Sequence, residues 1–231
     1  MLVYGKNVAL EYLSENKKIK KVFLQNNFND YEIVKKIKSR NINISTLDKF
    51  GMDKKVNGLH QGIILEVEDY KYANVHEIIK EDDSLIVMLD HIEDPHNFGA
   101  IIRSCEAAGV DGIIIPNDRS VEVNSTVIKT SVGTTEKMKI AKVTNLNSTI
   151  KLLKDKGYWI FGTDMNGTNY TKLDYKGKTC IICGNEGSGM SKLTKENCDF
   201  IASIPMKGEV NSLNASVATA IIVFEAVRQR G

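Results

Sequence analysis

The sequence predicts an α/β protein in which a small α/β unit precedes a parallel sheet covered by helices on both faces. Three observations carry this. From Ser84 onward, short apolar runs alternate with helical patterns, and strands buried on both sides read as continuous apolar stretches. The first sixty-odd residues hold shorter, mixed elements that suit a compact unit of their own. Between the two lies a polar stretch, Glu68–Asn74, followed by the acidic run Glu81-Asp82-Asp83.

In the front unit, Val8–Ser14 has helical spacing and Lys21–Leu24 is extended. Tyr31–Arg40 forms an amphipathic helix, Ile42–Ser45 is extended and Gly62–Val67 is a strand. Residues 1–68 therefore make one domain, 69–83 a linker and 84–231 a second domain. The linker is not rich in glycine or serine, which favours a packed segment over a flexible one. The second domain reads as six strands: Ser84–Leu89, Gly112–Ile115, Lys139–Val143, Tyr158–Gly162, Lys178–Cys183 and Phe200–Ile204. Helical patterns occupy Phe98–Ala108, Ser148–Lys156 and Leu213–Arg228.

A chain of 231 residues, 42% hydrophobic and 26% charged, has the composition of an ordinary soluble globular protein. No apolar run reaches membrane-spanning length, because Ser216, Thr219 and Glu225 interrupt the closing Ala215–Val227 stretch. Met1–Lys6 lacks the basic-then-apolar pattern of an export signal, so a cytoplasmic location is expected. Net charge is only +2 but uneven: residues 1–60 carry 12 Lys/Arg against 6 Asp/Glu. Such a basic front suits an anionic partner such as nucleic acid, or equally a solvated lysine-rich surface. Cys180-Ile-Ile-Cys183 has the spacing of a metal or redox pair. On a strand, however, positions three apart face opposite sides, and the four histidines show no ligand spacing. No metal site is expected, and the cysteines read as small buried hydrophobes.

In open parallel sheets, ligands bind beyond the carboxyl ends of the strands. Three segments there carry the chemistry. In Asp90–Arg103, Asn97 is expected to cap the following helix and Gly99 to allow close backbone approach, with Arg103 off the apolar face. In Gly184–Ser191, three glycines in six residues make a tight turn, but their order is not that of a dinucleotide fingerprint. Glu186 would repel a pyrophosphate, which suits a cationic or neutral ligand and disfavours NAD. In Ile204–Ala218, Asn211, Ser212 and Asn214 crowd a helix start while Ile204 and Leu213 offer an apolar wall. A capped buried helix explains that last segment equally well.

Together these segments resemble the signature motifs of the SpoU group of the SPOUT class, the S-adenosylmethionine-dependent RNA ribose 2′-O-methyltransferases. Asn97-x-Gly99-x-x-x-Arg103 is similar to the first motif and Gly184-x-Glu186-x-x-Gly189-Met190-Ser191 to the second. Ile204-Pro205-Met206-x-Gly208-x-x-x-Ser212-Leu213-Asn214-x-Ser216 is similar to the third. Residues 3–68, with Tyr4-Gly5 and His60-Gln61-Gly62, resemble the substrate-binding domain of the group's large-subunit (23S) ribosomal RNA guanosine methyltransferases.

The resemblance implies a C-terminal trefoil knot, a homodimer, S-adenosyl-L-methionine as methyl donor and ribosomal RNA as partner. It further implies that Gly184, Gly189, Ile204, Met206 and Leu213 hold the donor, and that Arg103, Asn97, Glu186, Ser212 and Asn214 form the catalytic set. Arginine is effectively always protonated in proteins, so the proton's destination stays open between an Arg103-centred site and Glu186 as base. Transfer RNA as the substrate and a catalytically silent RNA-binding assembly factor are the rival readings.

Overall fold

The computed structural model describes residues 1–231 and divides into two compact units. The first comprises residues 1–71 together with 123–133. It contains β1 (Leu2–Tyr4), α1 (Lys6–Ser14), β2 (Ile19–Gln25), α2 (Tyr31–Ser39), β3 (Ile44–Leu47), α3 (Lys49–Lys55) and β4 (Ile63–Val67). The short helix α5 (Ser125–Thr130) packs with β1 in this unit. Its sheet has the order β1-β4-β2-β3, with β4 antiparallel to both neighbours and β2 parallel to β3. Ile33 and Ile37 of α2, Met52 of α3 and Ile63–Leu65 of β4 are fully buried. The amphipathic spacing of α2 is what places Ile33 and Ile37 on one face.

The second unit, residues 72–122 and 134–231, carries six parallel strands in the order β10-β8-β9-β5-β6-β7. These are β5 (Ser84–Asp90), β6 (Gly112–Pro116), β7 (Ile140–Val143), β8 (Trp159–Asn169), β9 (Lys178–Gly184) and β10 (Phe200–Ser203). Four helices accompany them: α4 (Pro95–Ala107), α6 (Leu146–Asp155), α7 (Lys192–Glu196) and α8 (Ala215–Arg230). Both faces are covered, as the continuous apolar strands require. On one face Ile86, Met88, Ile114, Cys180 and Ile182 pack with Leu146, Ile150 and Leu153 of α6. On the other, α8 packs against β9 and α4. Residues 72–83 join this unit: the Ala73 N–H donates to the Ile140 carbonyl at 2.8 Å, and Ile78 enters the core.

One strand is longer than the sequence reading predicts. β8 continues seven residues past Gly162 because β10 pairs with it twice, at Phe161–Gly162 and again at Thr168–Asn169. That continuation, Thr163–Asn169, is polar and so carries no apolar run to betray it. Cys180 and Cys183 on β9 are both buried and unbonded to any partner cysteine. Cys180 faces the α6 layer, while Cys183 meets Thr219 of α8 on the opposite face. Burial pushes the Cys183 thiol up to about 11, which keeps it protonated and unreactive. No helix is long and apolar enough to cross a membrane.

Candidate functional site

β5 and β9 are neighbours in parallel register, with Asp90 opposite Gly184 at their carboxyl ends. The loops that follow them, 91–94 and 185–191, therefore start side by side. Asp90 is 1% exposed, and each of its carboxylate oxygens is used. Oδ2 accepts from the Ser191 N–H at 2.8 Å, and Oδ1 pairs with His91 Nδ1. The Asn185 side-chain amide donates to the His91 carbonyl at 2.8 Å, a second tie between the same two loops. Neither Asp90 nor Asn185 stood out in the sequence, although a lone carboxylate closing an otherwise apolar strand was the available signal.

The glycine turn folds tightly on itself. Asn185 and Gly189 exchange backbone hydrogen bonds at 3.1 and 2.8 Å, and the Asn185 side chain accepts from the Gly187 N–H at 2.9 Å. The returning chain lies directly on Gly184. A Cβ there would stand 2.3 Å from both the Gly189 carbonyl carbon and the Met190 nitrogen, inside any allowed contact. Gly189 has φ +67°, a left-handed conformation that glycine adopts without a Cβ penalty.

Helix α4 begins earlier than its sequence suggests. The N-cap is Asp94, whose Oδ1 accepts from the His96 and Asn97 N–H groups at 2.6 and 3.0 Å. Asn97 is not the cap. Pro95 decides this, because a residue with fixed φ and no N–H fits the first helical position and pushes the cap one residue back. With Asp94 as the cap, the Asn97 side chain is left for other work. Its amide donates to Glu186 Oε1, and its carbonyl oxygen accepts from Asn214 Nδ2 at 2.9 Å.

Asn214 is the cap of α8: its Oδ1 accepts from the Ser216 and Val217 N–H groups at 2.9 and 3.4 Å. Its Nδ2 also donates to Glu186 Oε1 at 2.8 Å, and the Ala215 N–H reaches the same oxygen at 3.4 Å. One carboxylate oxygen thus gathers Asn97 from the first loop, Asn214 from the third and the first amide of α8. A negative charge at a helix N-terminus is also favoured by the helix dipole. The three segments that are far apart in sequence meet here.

Other expected site residues take no part in this cluster's hydrogen bonds. Gly184 and Gly189 lie in the turn, and Ile204, Met206 and Leu213 are half-buried in the third loop. Residues 205–213 make no backbone–backbone hydrogen bond, which leaves their polar groups for solvent or a ligand. Ser212 is exposed and outside the cluster. Arg103 sits on the exposed face of α4, six residues and roughly 9 Å of helix beyond Asn97, and pairs with no carboxylate of the chain. Half-buried apolar side chains and unpaired backbone groups in the third loop suit a mixed polar and apolar ligand.

Residues 84–224 match the SpoU rRNA Methylase family, and residues 2–73 match the family described as RNA 2′-O ribose methyltransferase substrate binding. A protein of Staphylococcus saprophyticus assigned to the TrmH family of tRNA/rRNA methyltransferases is 40% identical over 239 residues, spanning 100% of this chain and 96% of that one. The SpoU methyltransferase AviRb of Streptomyces viridochromogenes, solved with AdoMet, superposes with a TM-score of 0.81 at 23% identity, over 99% of this chain and 89% of that one. An AdoMet-bound rRNA methyltransferase of Sinorhizobium meliloti superposes at 0.77 with 25% identity, over 98% and 86%.

Proposed function

The chain belongs to the SpoU rRNA Methylase family of RNA methyltransferases, and we propose that it methylates a ribose 2′-hydroxyl in RNA with S-adenosylmethionine as donor. The target class in this reading is a guanosine of large-subunit (23S) ribosomal RNA. The observation that carries it is the convergence of Asn97, Asn214 and Ala215 N–H on Glu186 Oε1, which brings three loops together beyond the carboxyl ends of β5 and β9. The front unit's match to a ribose-methyltransferase substrate-binding family supports the 2′-hydroxyl. Near-complete superposition on an rRNA methyltransferase supports the ribosomal target.

The donor supplies a methyl group on a positively charged sulfur. Gly184, Gly189, Ile204, Met206 and Leu213 hold it, through backbone groups for the polar parts and through the three apolar side chains for the rest. Glu186 positions the loops through Oε1, while its Oε2 accepts no hydrogen bond in the chain and is the carboxylate oxygen available to take the ribose proton. Arg103 is the catalytic cation. Its unpaired guanidinium would hold the ribose oxygen and stabilise the negative charge that grows there as the hydroxyl proton passes to Glu186 Oε2 and the methyl group leaves the donor's sulfur for the oxygen. Asn97 and Asn214 keep the two helix starts in register, and Ser212, exposed in the third loop, is open to an incoming ribose.

The same reading includes a homodimer acting in the cytoplasm. Val217 and Phe224 on α8, each 47% exposed, offer apolar surface for the second copy. It also includes a trefoil knot at the C-terminal end, which the match to the SpoU rRNA Methylase family supports.

Transfer RNA is the rival target, since the Staphylococcus relative's description names both RNAs. Incubating the protein with radiolabelled S-adenosylmethionine and separated RNA pools decides between them. Label is expected in large-subunit ribosomal RNA from cells lacking the gene, recovered after digestion as 2′-O-methylguanosine. Label confined to transfer RNA, or located on a base, would overturn the assignment.

A further inference from the structure

The first unit holds a cleft of mixed polar and apolar lining and about 500 Å³, within the range of roughly 300–1,000 Å³ typical of small-molecule sites. It lies between two loops, 25–29 after β2 and 58–62 before β4. The walls are fixed. His60 Nδ1 accepts from the Gly62 N–H at 2.9 Å, and its Nε2 meets Asp53 Oδ1 at 3.0 Å, an arrangement that neutral histidine with its proton on Nε2 satisfies. The Gln25 N–H donates to the Gly62 carbonyl at 2.8 Å, and the Gln61 side chain accepts from the Lys6 N–H at 2.9 Å. Phe28 rests on Gly62 so closely that a Cβ there would stand 2.9 Å from the ring.

Two features mark this cleft as built for a ligand. Three of its residues have positive φ, Asn27 at 68°, Gln61 at 52° and Gly62 at 82°, and strained backbone gathers where binding geometry demands it. Three amide side chains, Asn26, Asn27 and Asn29, border the opening and make no hydrogen bond within the chain. Each amide offers donors and an acceptor together, the complement of a nucleobase edge. Leu59, 69% exposed, stands at the same opening as an apolar face for a base.

Electrostatics argues for a base rather than for phosphate alone. Lys6 is neutralised by Asp30 at 3.0 Å, and Asp53 lies in the wall, so the cleft is no strong anion trap. Lys49, exposed at the edge, is the free cation left for a flanking phosphate. Duplex RNA hides its base edges from a concave site and is recognised mainly by shape, whereas unpaired bases can be splayed out and read.

We propose that the cleft between residues 25–29 and 58–62 captures one unpaired base of the RNA substrate, through the amides of Asn26 and Asn29 and the apolar face of Leu59. This rests on the reading of the chain as an RNA-modifying enzyme but is tested by binding alone. The probes are a fluorescein-labelled RNA hairpin with a mixed-sequence single-stranded loop and a fully paired RNA of equal length, titrated with the full-length protein. The wild type should prefer the hairpin. Asn26→Ala/Asn29→Ala should weaken hairpin binding about tenfold while leaving duplex binding and the salt dependence unchanged. The blocking variant Asn29→Trp, at an exposed position, should do the same without removing a wall. Lys49→Gln should instead weaken both RNAs and shallow the salt slope by about one. Equal wild-type affinity for the two RNAs, or a loop preference that survives both asparagine variants, would overturn the cleft's role. Absence of methyl transfer with the loop preference intact would instead count against the enzymatic reading alone.

Discussion

Arg103→Ala should slow methyl transfer to RNA by about 10²–10³-fold, the range seen when a group that stabilises developing oxyanion charge is removed. Donor affinity should hardly change. The reason is positional: Arg103 lies more than a helical turn beyond Asn97 and takes no part in the hydrogen bonds that hold the three loops together. Its side chain is exposed and pairs with nothing in the chain, so its removal leaves no buried group unsatisfied and folding should be unaffected. Single-turnover methylation alongside calorimetry of donor binding separates the two effects. Loss of donor binding in parallel with rate would make Arg103 part of the donor site, and an unchanged rate would remove it from the chemistry. Arg103→Lys should restore little, because an ammonium lacks the planar fork that holds two partners at once.

Gly184→Ala should be the most damaging small substitution in the second unit. The added methyl would sit 2.3 Å from two backbone atoms of residues 189–190, and backbone, unlike a flexible side chain, has no rotamer to yield. Either the glycine turn moves away, which breaks the Asn185–Gly189 pairing and the Ser191 contact to Asp90, or β9 shifts in its ladder. A stability loss of about 3 kcal/mol or more is expected, at the upper end for overpacking, together with loss of donor binding. Urea unfolding measures the first and calorimetry the second. Gly187→Ala is the matched control: its Cβ would lie 3.6 Å from the nearest atom, Asn185 Oδ1, an ordinary contact. That variant should unfold within about 1 kcal/mol of wild type.

Periodicity exposed most of the fold. The buried strands β5, β6 and β9 are continuous apolar runs, and burial on both faces leaves no other reading of them. The elements that escaped are short or polar. β1 has three residues, α7 has five, and α3, Lys49–Lys55, buries only Met52 and depends on the Asp48 cap. Tertiary contact, not pattern, creates them.

The site was legible as three loops but not as one place. The family resemblance singled out Asn97, Glu186 and Asn214, yet nothing in the sequence says that one carboxylate oxygen gathers the other two. Asn97 was misplaced as a cap because cap statistics see only residue type, whereas Asp94-Pro95 settles the start through the proline's missing N–H. Asp90 was invisible for the opposite reason. It reads as the polar end of an apolar strand, and only the fold shows its carboxylate stitching two loops.

Calorimetric titration of S-adenosylmethionine into wild-type protein and into Glu186→Ala tests most directly whether the gathered loops form the donor site. Wild type should bind one donor per chain. The variant strands the amides of Asn97 and Asn214 without their shared acceptor, and its affinity should fall at least about tenfold, given hydrogen bonds to a charged group of about 1.5–3 kcal/mol. Equal affinities, or no donor binding by wild type at all, would contradict the account.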